Sequence, residues 1–368
     1  MTTEPTETLA DRRAELRRDL LRFTGRANAV DKPLTPEEID AGFDELAVRL
    51  VRYQADALPA YGALVSALDA SLDDWRTAPV VPTALFAEMD LCSLPPAPGQ
   101  RIFRTSGTTS KGVARGFRRV PDLALYDLGM SGPFVRHMLA GHTDKVRWLS
   151  LVPPASLQPE SSLAHMVSGL AESLAAEVIH AFDADGLDLA TAEEALSEGL
   201  GLGDAPVIVL ATAFSLADLL ERTERRFRLP RGSRVMVTGG FKGKRKAVDA
   251  REMFDLIKRV LGIPPEAVVD EYGMTELSSQ AWGRPLEPAP TLRFRIIDPE
   301  SGETLPAGRK GLVACFDLLN LDNVSAILTS DLGVLDDFGR LTLHGRLPGA
   351  VPRGCSLAAE EILARTGR

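Results

Sequence analysis

The sequence is poor in cysteine and histidine and has no long apolar run. Its three cysteines are odd in number and widely spaced, so they do not make a disulfide framework. Its five histidines show no metal-ligand spacing. No apolar run reaches the length that crosses a bilayer, and the N-terminus, which is acidic first and then mixed in charge, is unlike a secretory signal. We therefore expect a cytoplasmic protein with reduced thiols and no membrane span.

The charge balance excludes a further class of partner. The formal net charge is −9, whereas binding to nucleic acid needs a net basic face, so no nucleic-acid partner is expected. Hydrophobic residues make up 45% and charged residues 25%, which is ordinary for a globular protein, and 368 residues suit one large domain or two unequal ones. The G-x-S-x-G elbow, the P-loop spacing and a correctly placed dinucleotide fingerprint are also missing.

The predicted elements divide the chain into four parts. Residues 1–95 are predicted to be helical, with a capping box at 35–38. Between 96 and 290 strands alternate with helices, which implies a parallel sheet covered by helices and an α/β fold class. Residues 291–345 are predicted to form a small β-rich subdomain of antiparallel hairpins, followed by a short segment, 346–368. Strands are predicted at 146–152, 177–180, 206–211, 234–237, 292–297, 311–318, 333–335 and 340–344, with another starting at 268.

The segment 104–112 has the composition of a phosphate-binding loop. Gly107 and Gly112 make backbone amides approachable, and Lys111 supplies an ammonium group, which is what cradling a polyphosphate requires. The loop also carries hydroxyl groups on Thr105, Ser106, Thr108, Thr109 and Ser110. A Ser/Thr/Gly surface loop is the alternative interpretation, and composition alone does not choose between the two.

Two motifs with acidic residues lie near the ends of predicted strands. In the first, 270–276, Glu276 is a candidate magnesium ligand and Tyr272 a candidate base-stacking residue, because ligands bind at the carboxyl ends of strands in open α/β sheets. The alternative is a strand end with a solvated carboxylate. In the second, 329–333, Asp331 is a candidate acceptor for both ribose hydroxyls, and the alternative is an aspartate that caps a turn.

Cys355 is the candidate nucleophile among the cysteines. It stands close to Arg353 at a predicted junction between a loop and a helix, and both features favour the thiolate. The alternative is a small apolar residue at a helix start. Cys92 and Cys315 lie in apolar contexts, so we interpret them as core residues.

Five motifs in order resemble the ANL adenylate-forming superfamily, which comprises acyl-CoA synthetases, peptide-synthetase adenylation domains and luciferases. They are TSGTTSKG (105–112), VTGGF (237–241), YGMTE (272–276), TSDLG (329–333) and the hinge-like GR…RG…EI of 345–362. Within this superfamily the chain is most similar to LuxE-type acyl-protein synthetases. That similarity rests on the segments 81–91 and 161–166 and on the ending RGCSL, and the resemblance as a whole covers about 82–362.

The resemblance implies a two-step reaction, dependent on ATP and Mg²⁺, in an ANL-type large N-terminal domain. A carboxylic acid, expected to be fatty or otherwise hydrophobic, becomes acyl-AMP, and the acyl group passes to Cys355 as a thioester for a partner acyl reductase or carrier protein. Lys111 and Arg346 join Cys355 as implied catalytic residues, and Thr108 and Glu276 as implied metal ligands. The implied ATP/AMP-binding residues are Thr105, Ser106, Gly107, Thr108, Thr109, Ser110, Gly112, Gly239, Gly240, Glu271, Tyr272, Gly273, Met274, Thr275 and Asp331. The implied acyl pocket contains His165, Phe214 and Phe241.

The chain also departs from the superfamily pattern. It is expected to lack the usual C-terminal domain, which carries a catalytic lysine, so Lys111, Arg346 and Mg²⁺, or a cation of a partner, would serve the first step. Two other functions stay open. One is a ligase that passes acyl-AMP directly to CoA, a carrier protein or an amine, and the other is a non-catalytic nucleotide-binding subunit. A covalent acyl label distinguishes the first from the favoured function, and pyrophosphate exchange distinguishes the second.

Overall fold

The computed structural model describes residues 7–29, 31–105, 115–142, 145–183, 186–198, 205–239 and 250–347. The helices in these ranges are α1 (Leu9–Ala27), α2 (Pro36–Ala57), α3 (Pro59–Ala67), α4 (Leu123–Met138), α5 (Ser162–Leu174), α6 (Leu189–Glu198), α7 (Ala213–Arg222) and α8 (Ala250–Leu261). Short 3₁₀ turns occupy Trp75–Thr77, Thr83–Ala87 and Pro265–Ala267.

The strands are mostly short. In chain order they are β1 (Val81–Pro82), β2 (Arg101–Arg104), β3 (Phe117–Val120), β4 (Arg147–Ser150), β5 (Glu177–His180), β6 (Phe182–Asp183), β7 (Gly186–Leu187), β8 (Val207–Thr212), β9 (Arg234–Thr238), β10 (Val268–Tyr272), β11 (Ala281–Trp282), β12 (Glu287–Pro288), β13 (Leu292–Ile297), β14 (Thr304–Leu305), β15 (Gly311–Asp317), β16 (Ala326–Leu335) and β17 (Leu341–Arg346).

The chain folds into two compact units that are discontinuous in sequence. The first takes the described residues of Met1–Gly129, Thr275–Ser279 and Pro288–Arg368, and the second those of Met130–Met274 and Gln280–Glu287. The YGMTE motif is thus divided, because Glu276 falls in the first unit and Tyr272 in the second. The four parts expected from the order of elements stay a prediction.

A largely antiparallel sheet organises the first unit. Its strand order is β1-β16-β15-β13-β14, and β17 also pairs with β16. Strand β16 pairs in parallel with β1 at Ile327 and Leu328 and then in antiparallel with β17 from Asp331 to Leu335. Strands β2 and β3 form a separate antiparallel hairpin. Every residue of β15 is buried, as expected for a central strand that is covered on both faces.

Helices α1 and α2 belong to the first unit and begin at capping boxes. The side chains of Thr8 and Thr35 accept hydrogen bonds from the backbone amides of the third residues of their helices, Asp11 and Glu38. In turn, the carboxylates of Asp11 and Glu38 accept hydrogen bonds from the backbone amides of Thr8 and Thr35. One face of α2 is apolar and buried, and it includes Phe43. The rings of Phe43, Trp75 and Phe316 of β15 contact one another, with centroid distances of 5.3 Å (Phe43–Trp75), 5.2 Å (Trp75–Phe316) and 6.1 Å (Phe43–Phe316), so this helix packs on the sheet.

A mainly parallel sheet organises the second unit. Its strand order is β12-β11-β10-β9-β8-β4-β5, and β5, β4, β8, β9 and β10 run parallel. Side chains alternate between the faces: Leu149 packs with residues of α6, α7 and α8, whereas Trp148 packs against Phe134 of α4, with ring centroids 4.9 Å apart. This is a sheet with helices on both faces, so the predicted α/β class and parallel pairing are confirmed.

Most of the strands expected from the sequence are confirmed, and two, 177–180 and 292–297, match residue for residue. One expectation is wrong. The strand predicted at 333–335 already begins at Ala326, so Asp331 lies inside β16 and does not cap a turn. The strand is long because β1 and β17 pair with successive parts of it. The junction between a loop and a helix that is predicted at Cys355 lies outside the described residues.

Candidate functional site

A buried turn in the first unit carries Glu276. It follows β10 at Thr275–Ser279, and Asp317, the last residue of β15, holds its second half. The Asp317 Oδ2 atom accepts hydrogen bonds from the amides of Ser278 and Ser279 at 2.7 and 2.8 Å, and its Oδ1 atom accepts one from the Ser279 hydroxyl at 2.7 Å. Burial raises the pKa of Asp317, while Ser279 and Arg118 act in the opposite direction. The turn is therefore fixed to the sheet by a carboxyl group.

Two further side chains hold the first half of this turn. The Asn320 Nδ2 atom donates to the Glu276 carbonyl at 2.9 Å. The guanidinium group of Arg118 donates to the Ser278 hydroxyl and, at 3.4 Å, to the Thr275 carbonyl. Both Arg118 and Asn320 are buried. The main chain is thus bound on both sides of Glu276.

The Glu276 side chain is 6% exposed, and it carries a desolvated carboxyl group. Burial raises its pKa, and the charges of Arg118 and Arg346 act in the opposite direction. Mg²⁺ is usually bound through one or two protein carboxylates together with substrate phosphates. The carboxyl group of Glu276, with two arginine charges acting on it, fits a site in which a protein carboxylate and substrate phosphates together bind the metal ion. Among the described residues, groups of three or more metal-ligating side chains are not found.

Asp331 and Arg346 form a cross-strand ion pair near Glu276. They are register partners in β16 and β17, and the Arg346 Nε atom donates to the Asp331 Oδ1 atom at 2.7 Å. The Asp331 side chain is 10% exposed and that of Arg346 is 77% exposed. Glu276, Asp331 and Arg346, which come from separate motifs, all belong to the first unit, and the charge of Arg346 acts to lower the pKa of Glu276.

The ends of the predicted phosphate loop are held together in the first unit. Thr105 follows β2, its amide donates to the Gly116 carbonyl at 2.9 Å, and its carbonyl accepts from the Arg115 Nε atom at 2.6 Å. The hairpin β2–β3 thus continues to the base of the loop. The predicted loop residues Ser106, Gly107, Thr108, Thr109, Ser110, Lys111 and Gly112 lie outside the described residues, as do Gly240, Phe241 and Cys355.

A second set of predicted residues lies at the carboxyl ends of β9 and β10 in the second unit. Thr238 and Glu271 are register partners there, and the Thr238 hydroxyl donates to the Glu271 carboxyl group. Burial raises the pKa of Glu271 to about 7. A Cβ atom at Gly273 would lie too close to the Glu271 carboxyl oxygen, so a larger residue there would require the Glu271 side chain to move. Gly239 has φ of +71°, a conformation that favours glycine.

The other predicted residues of the second unit have varied exposure. Tyr272 is buried, Phe214 is 59% exposed at the start of α7, and His165 is half-buried in α5. Met274 follows β10 and is half-buried. Their roles at a base or an acyl chain stay predictions.

We predict that Glu271→Gln makes the protein more stable at higher pH. Below pH 4.5 the carboxyl group of Glu271 is protonated in both the folded and the unfolded protein. Between pH 4.5 and about 7 only the folded protein keeps this proton, so the stability of the wild type falls as the pH rises. The shift corresponds to about 3 kcal/mol at 1.36 kcal/mol per pKa unit, and the stability difference between variant and wild type should widen by that amount across this window. Urea unfolding at pH 4.5 and pH 8 measures it. The exposed Glu266→Gln serves as control, and equal pH profiles for wild type and Glu271→Gln would contradict the assignment.

Sequence reasoning missed Arg118, Asp317 and Asn320. Asp317 and Asn320 interrupt the apolar segment 316–320, whereas Arg118 lies beside a second arginine in the short strand Phe117–Val120. A charged or amide side chain within an otherwise buried strand or strand end needs a polar partner. Such a residue in the sequence therefore indicates a buried polar contact, although not its partner.

Part of the chain is similar to a known protein family. Residues 204–364 match the family model described as "Acyl-protein synthetase, LuxE". This segment is LuxE-like. The resemblance inferred from the motifs is thereby confirmed for the part of the chain that holds Glu276, Asp331, Arg346 and Cys355. No curated protein matches the chain.

Several solved structures are similar to part of the chain. ATP-bound MatB from Rhodopseudomonas palustris is 17% identical over 67% of this chain and 47% of its own, with a TM-score of 0.49. The amide bond synthetase McbA from Marinactinospora thermotolerans is 19% identical over 67% and 48%, with a TM-score of 0.45. O-succinylbenzoate coenzyme A synthetase from Bacillus subtilis, in complex with ATP and magnesium, is 18% identical over 69% and 51%, with a TM-score of 0.44. The chain spans about half the length of these proteins. In the described part of the chain, no helix is both long and apolar enough to cross a bilayer.

Proposed function

We propose that this chain uses ATP and Mg²⁺ to convert a carboxylic acid into an acyl-adenylate and then carries the acyl group as a thioester on Cys355. The observation that carries the first step is the grouping of Glu276, Asp331 and Arg346 in one unit, although they come from different motifs. The LuxE-like segment 204–364 contains these three residues and Cys355, which supports the same function.

The contact between Asp331 and Arg346 suits one end of a nucleotide. In ATP the ribose is bonded directly to the α-phosphate, so groups that hold the two should be neighbours. Asp331 is a carboxylate suited to ribose hydroxyls, and Arg346, 2.7 Å away, is a cation suited to phosphate oxygens. The ion pair also prevents either charge from being left alone when no nucleotide is bound.

In the first step a carboxylate oxygen of the acid attacks the α-phosphorus of ATP. The bond from this phosphorus to the oxygen that bridges to the β-phosphate breaks, and pyrophosphate leaves. Glu276 and Thr108 would hold Mg²⁺, which when bound neutralises charge on the phosphates. Lys111 adds a second cation on the same side, and Arg346 stabilises charge at the α-phosphate. Positioning and charge neutralisation supply most of the rate in such reactions.

In the second step the Cys355 thiolate attacks the carbonyl carbon of the acyl-adenylate. A carbon–sulfur bond forms, the bond between the carbonyl carbon and the phosphate oxygen breaks, and AMP leaves. The thioester keeps the acyl group activated for delivery to an acyl reductase or a carrier protein. The acid is proposed to be fatty or otherwise hydrophobic.

Exchange of labelled pyrophosphate into ATP tests the first step. We expect exchange that depends on added acid, strongest within one hydrophobic class, when fatty, aryl and amino acids are compared. Exchange without any acyl label on the protein would favour direct transfer of acyl-AMP to another acceptor. Binding of ATP without exchange, whatever acid is added, would contradict the proposed activity and favour a nucleotide-binding subunit.

A further inference from the structure

A polar cluster in the interior of the first unit surrounds the turn that carries Glu276. It consists of Arg118, Ser278, Ser279, Asp317 and Asn320, which we call the Asp317 cluster. All five side chains are buried, and the residues come from three separate parts of the chain. None of them is a member of the five motifs that indicate the reaction.

The bonds of the cluster are directed at the main chain around Glu276. Upstream, Arg118 reaches the Thr275 carbonyl, and at Glu276 itself Asn320 binds the carbonyl. Downstream, Asp317 receives the amides of Ser278 and Ser279. The Glu276 carboxyl group is bonded to its own amide and stays outside this set of bonds. The cluster therefore fixes the turn without using the carboxyl group.

The buried charge of Arg118 in the Asp317 cluster lowers the stability of the folded protein. Arg118 is 2% exposed, and its Nε atom has no hydrogen-bond partner in the part of the chain that the structure describes. Burial lowers the pKa of Arg118, while the carboxyl groups of Asp317 and Glu276 act in the opposite direction. A buried cation with an unsatisfied N–H group costs free energy that an apolar core would not. Such a cost is typical of sites where position matters for function.

We propose that Asp317 and Arg118 are positioning residues, which hold the turn Thr275–Ser279 so that the Glu276 carboxylate can bind the magnesium ion of Mg·ATP. The inference rests on the proposed function and adds to it two residues that do not themselves touch the nucleotide. Outer partners that orient a metal ligand typically change metal affinity by 10–100-fold when they are replaced.

The test measures the metal-dependent part of ATP affinity by calorimetry, with ATP titrated in excess Mg²⁺ and again in EDTA, and no acid added. In Asp317→Asn the amide NH₂ group faces either the Ser278 and Ser279 amides or the Leu319 amide, so at least one backbone hydrogen bond is lost whichever way it points. We expect Mg·ATP to bind about 10-fold more weakly and metal-free ATP to bind as in the wild type.

Matched variants separate positioning from a general loss of stability. Asp322→Asn is the control, because Asp322 is a buried aspartate of the same unit that pairs with Arg13 and not with the turn, so it should leave both affinities unchanged. Ser279→Ala removes the hydroxyl bonds to Asp317 and Thr291 but keeps the backbone amide bond to Asp317, and it should weaken Mg·ATP binding about 3-fold. It keeps the inference testable if Asp317→Asn does not fold.

Hydrogen exchange supplies a second readout that does not depend on the nucleotide. The amides of Ser278 and Ser279 should exchange faster in Asp317→Asn than in wild type, and at the wild-type rate in Asp322→Asn. The inference would be overturned if these amides exchange faster in Asp317→Asn while the ratio of the affinity for Mg·ATP to the affinity for metal-free ATP stays as in the wild type. A wild-type chain that binds no ATP at all would instead overturn the proposed function, and the two failures are distinguishable because the second is seen in the parent protein.

Discussion

Glu276→Gln is expected to lower acid-dependent pyrophosphate exchange by about 10²- to 10³-fold, the loss that follows removal of one preorganised charged or polar group at a reacting centre. Glutamine keeps the size of the side chain, and the bonds that hold the turn involve the main chain and not the carboxyl group. The fold should therefore survive, since burial already disfavours the charged form of Glu276. The loss should be in metal-dependent steps, and extra Mg²⁺ should restore part of the rate.

Glu303→Gln provides the control for this prediction. Glu303 is an exposed carboxylate of the same unit, next to β14, so its replacement should leave exchange unchanged. Exchange at the wild-type rate in Glu276→Gln, with the same dependence on Mg²⁺, would remove Glu276 from the site. It would also leave the grouping with Asp331 and Arg346 without a metal-binding role.

Cys355→Ser should abolish the hydroxylamine-labile acyl label on the protein and leave pyrophosphate exchange intact. The first step needs no thiol, whereas the second needs a nucleophile that is ionised near neutral pH, and a serine hydroxyl is not. The experiment incubates the protein with Mg·ATP and a radiolabelled acid and counts the label before and after hydroxylamine. We expect loss of essentially all labile label.

Cys92→Ser is the matched control for the thiol. Burial raises the pKa of Cys92 and raises that of Cys315 well above its ordinary value, so neither thiol favours the thiolate. Cys315 is buried within β15, whereas Cys92 is only half-buried and can be replaced with less damage to the core. The label should persist in Cys92→Ser. A labile label that persists in Cys355→Ser would assign the thioester to another residue.

The sequence predicted best those features that depend on local pattern. The strands 177–180 and 292–297 were predictable because apolar runs between turn signals fix both their type and their length. The parallel pairing followed from the alternation of strands and helices. The position of Tyr272 at the end of β10 followed from the same pattern, because its motif stands at the end of a predicted strand.

The features that the sequence did not predict depend on pairing between distant segments. Asp331 resembled a turn residue locally, and only the pairing of β16 with β1 and then β17 places it in a strand opposite Arg346. The Asp317 cluster has the same origin, because β3, the turn after β10 and the end of β15 are far apart in the sequence. Local propensity carries no information about such contacts, whereas a polar residue within an apolar run at least indicates that one exists.

Transfer of oxygen from the acid to AMP tests the central claim most directly. The acid that gives the strongest exchange is labelled with ¹⁸O in both carboxyl oxygens, and the AMP released by the protein with Mg·ATP is analysed by mass spectrometry. An acyl-adenylate requires one labelled oxygen in each AMP, because the oxygen that attacks the α-phosphorus stays on the phosphate when the acyl group leaves. AMP without label, or label found in orthophosphate, would contradict adenylation as the first step.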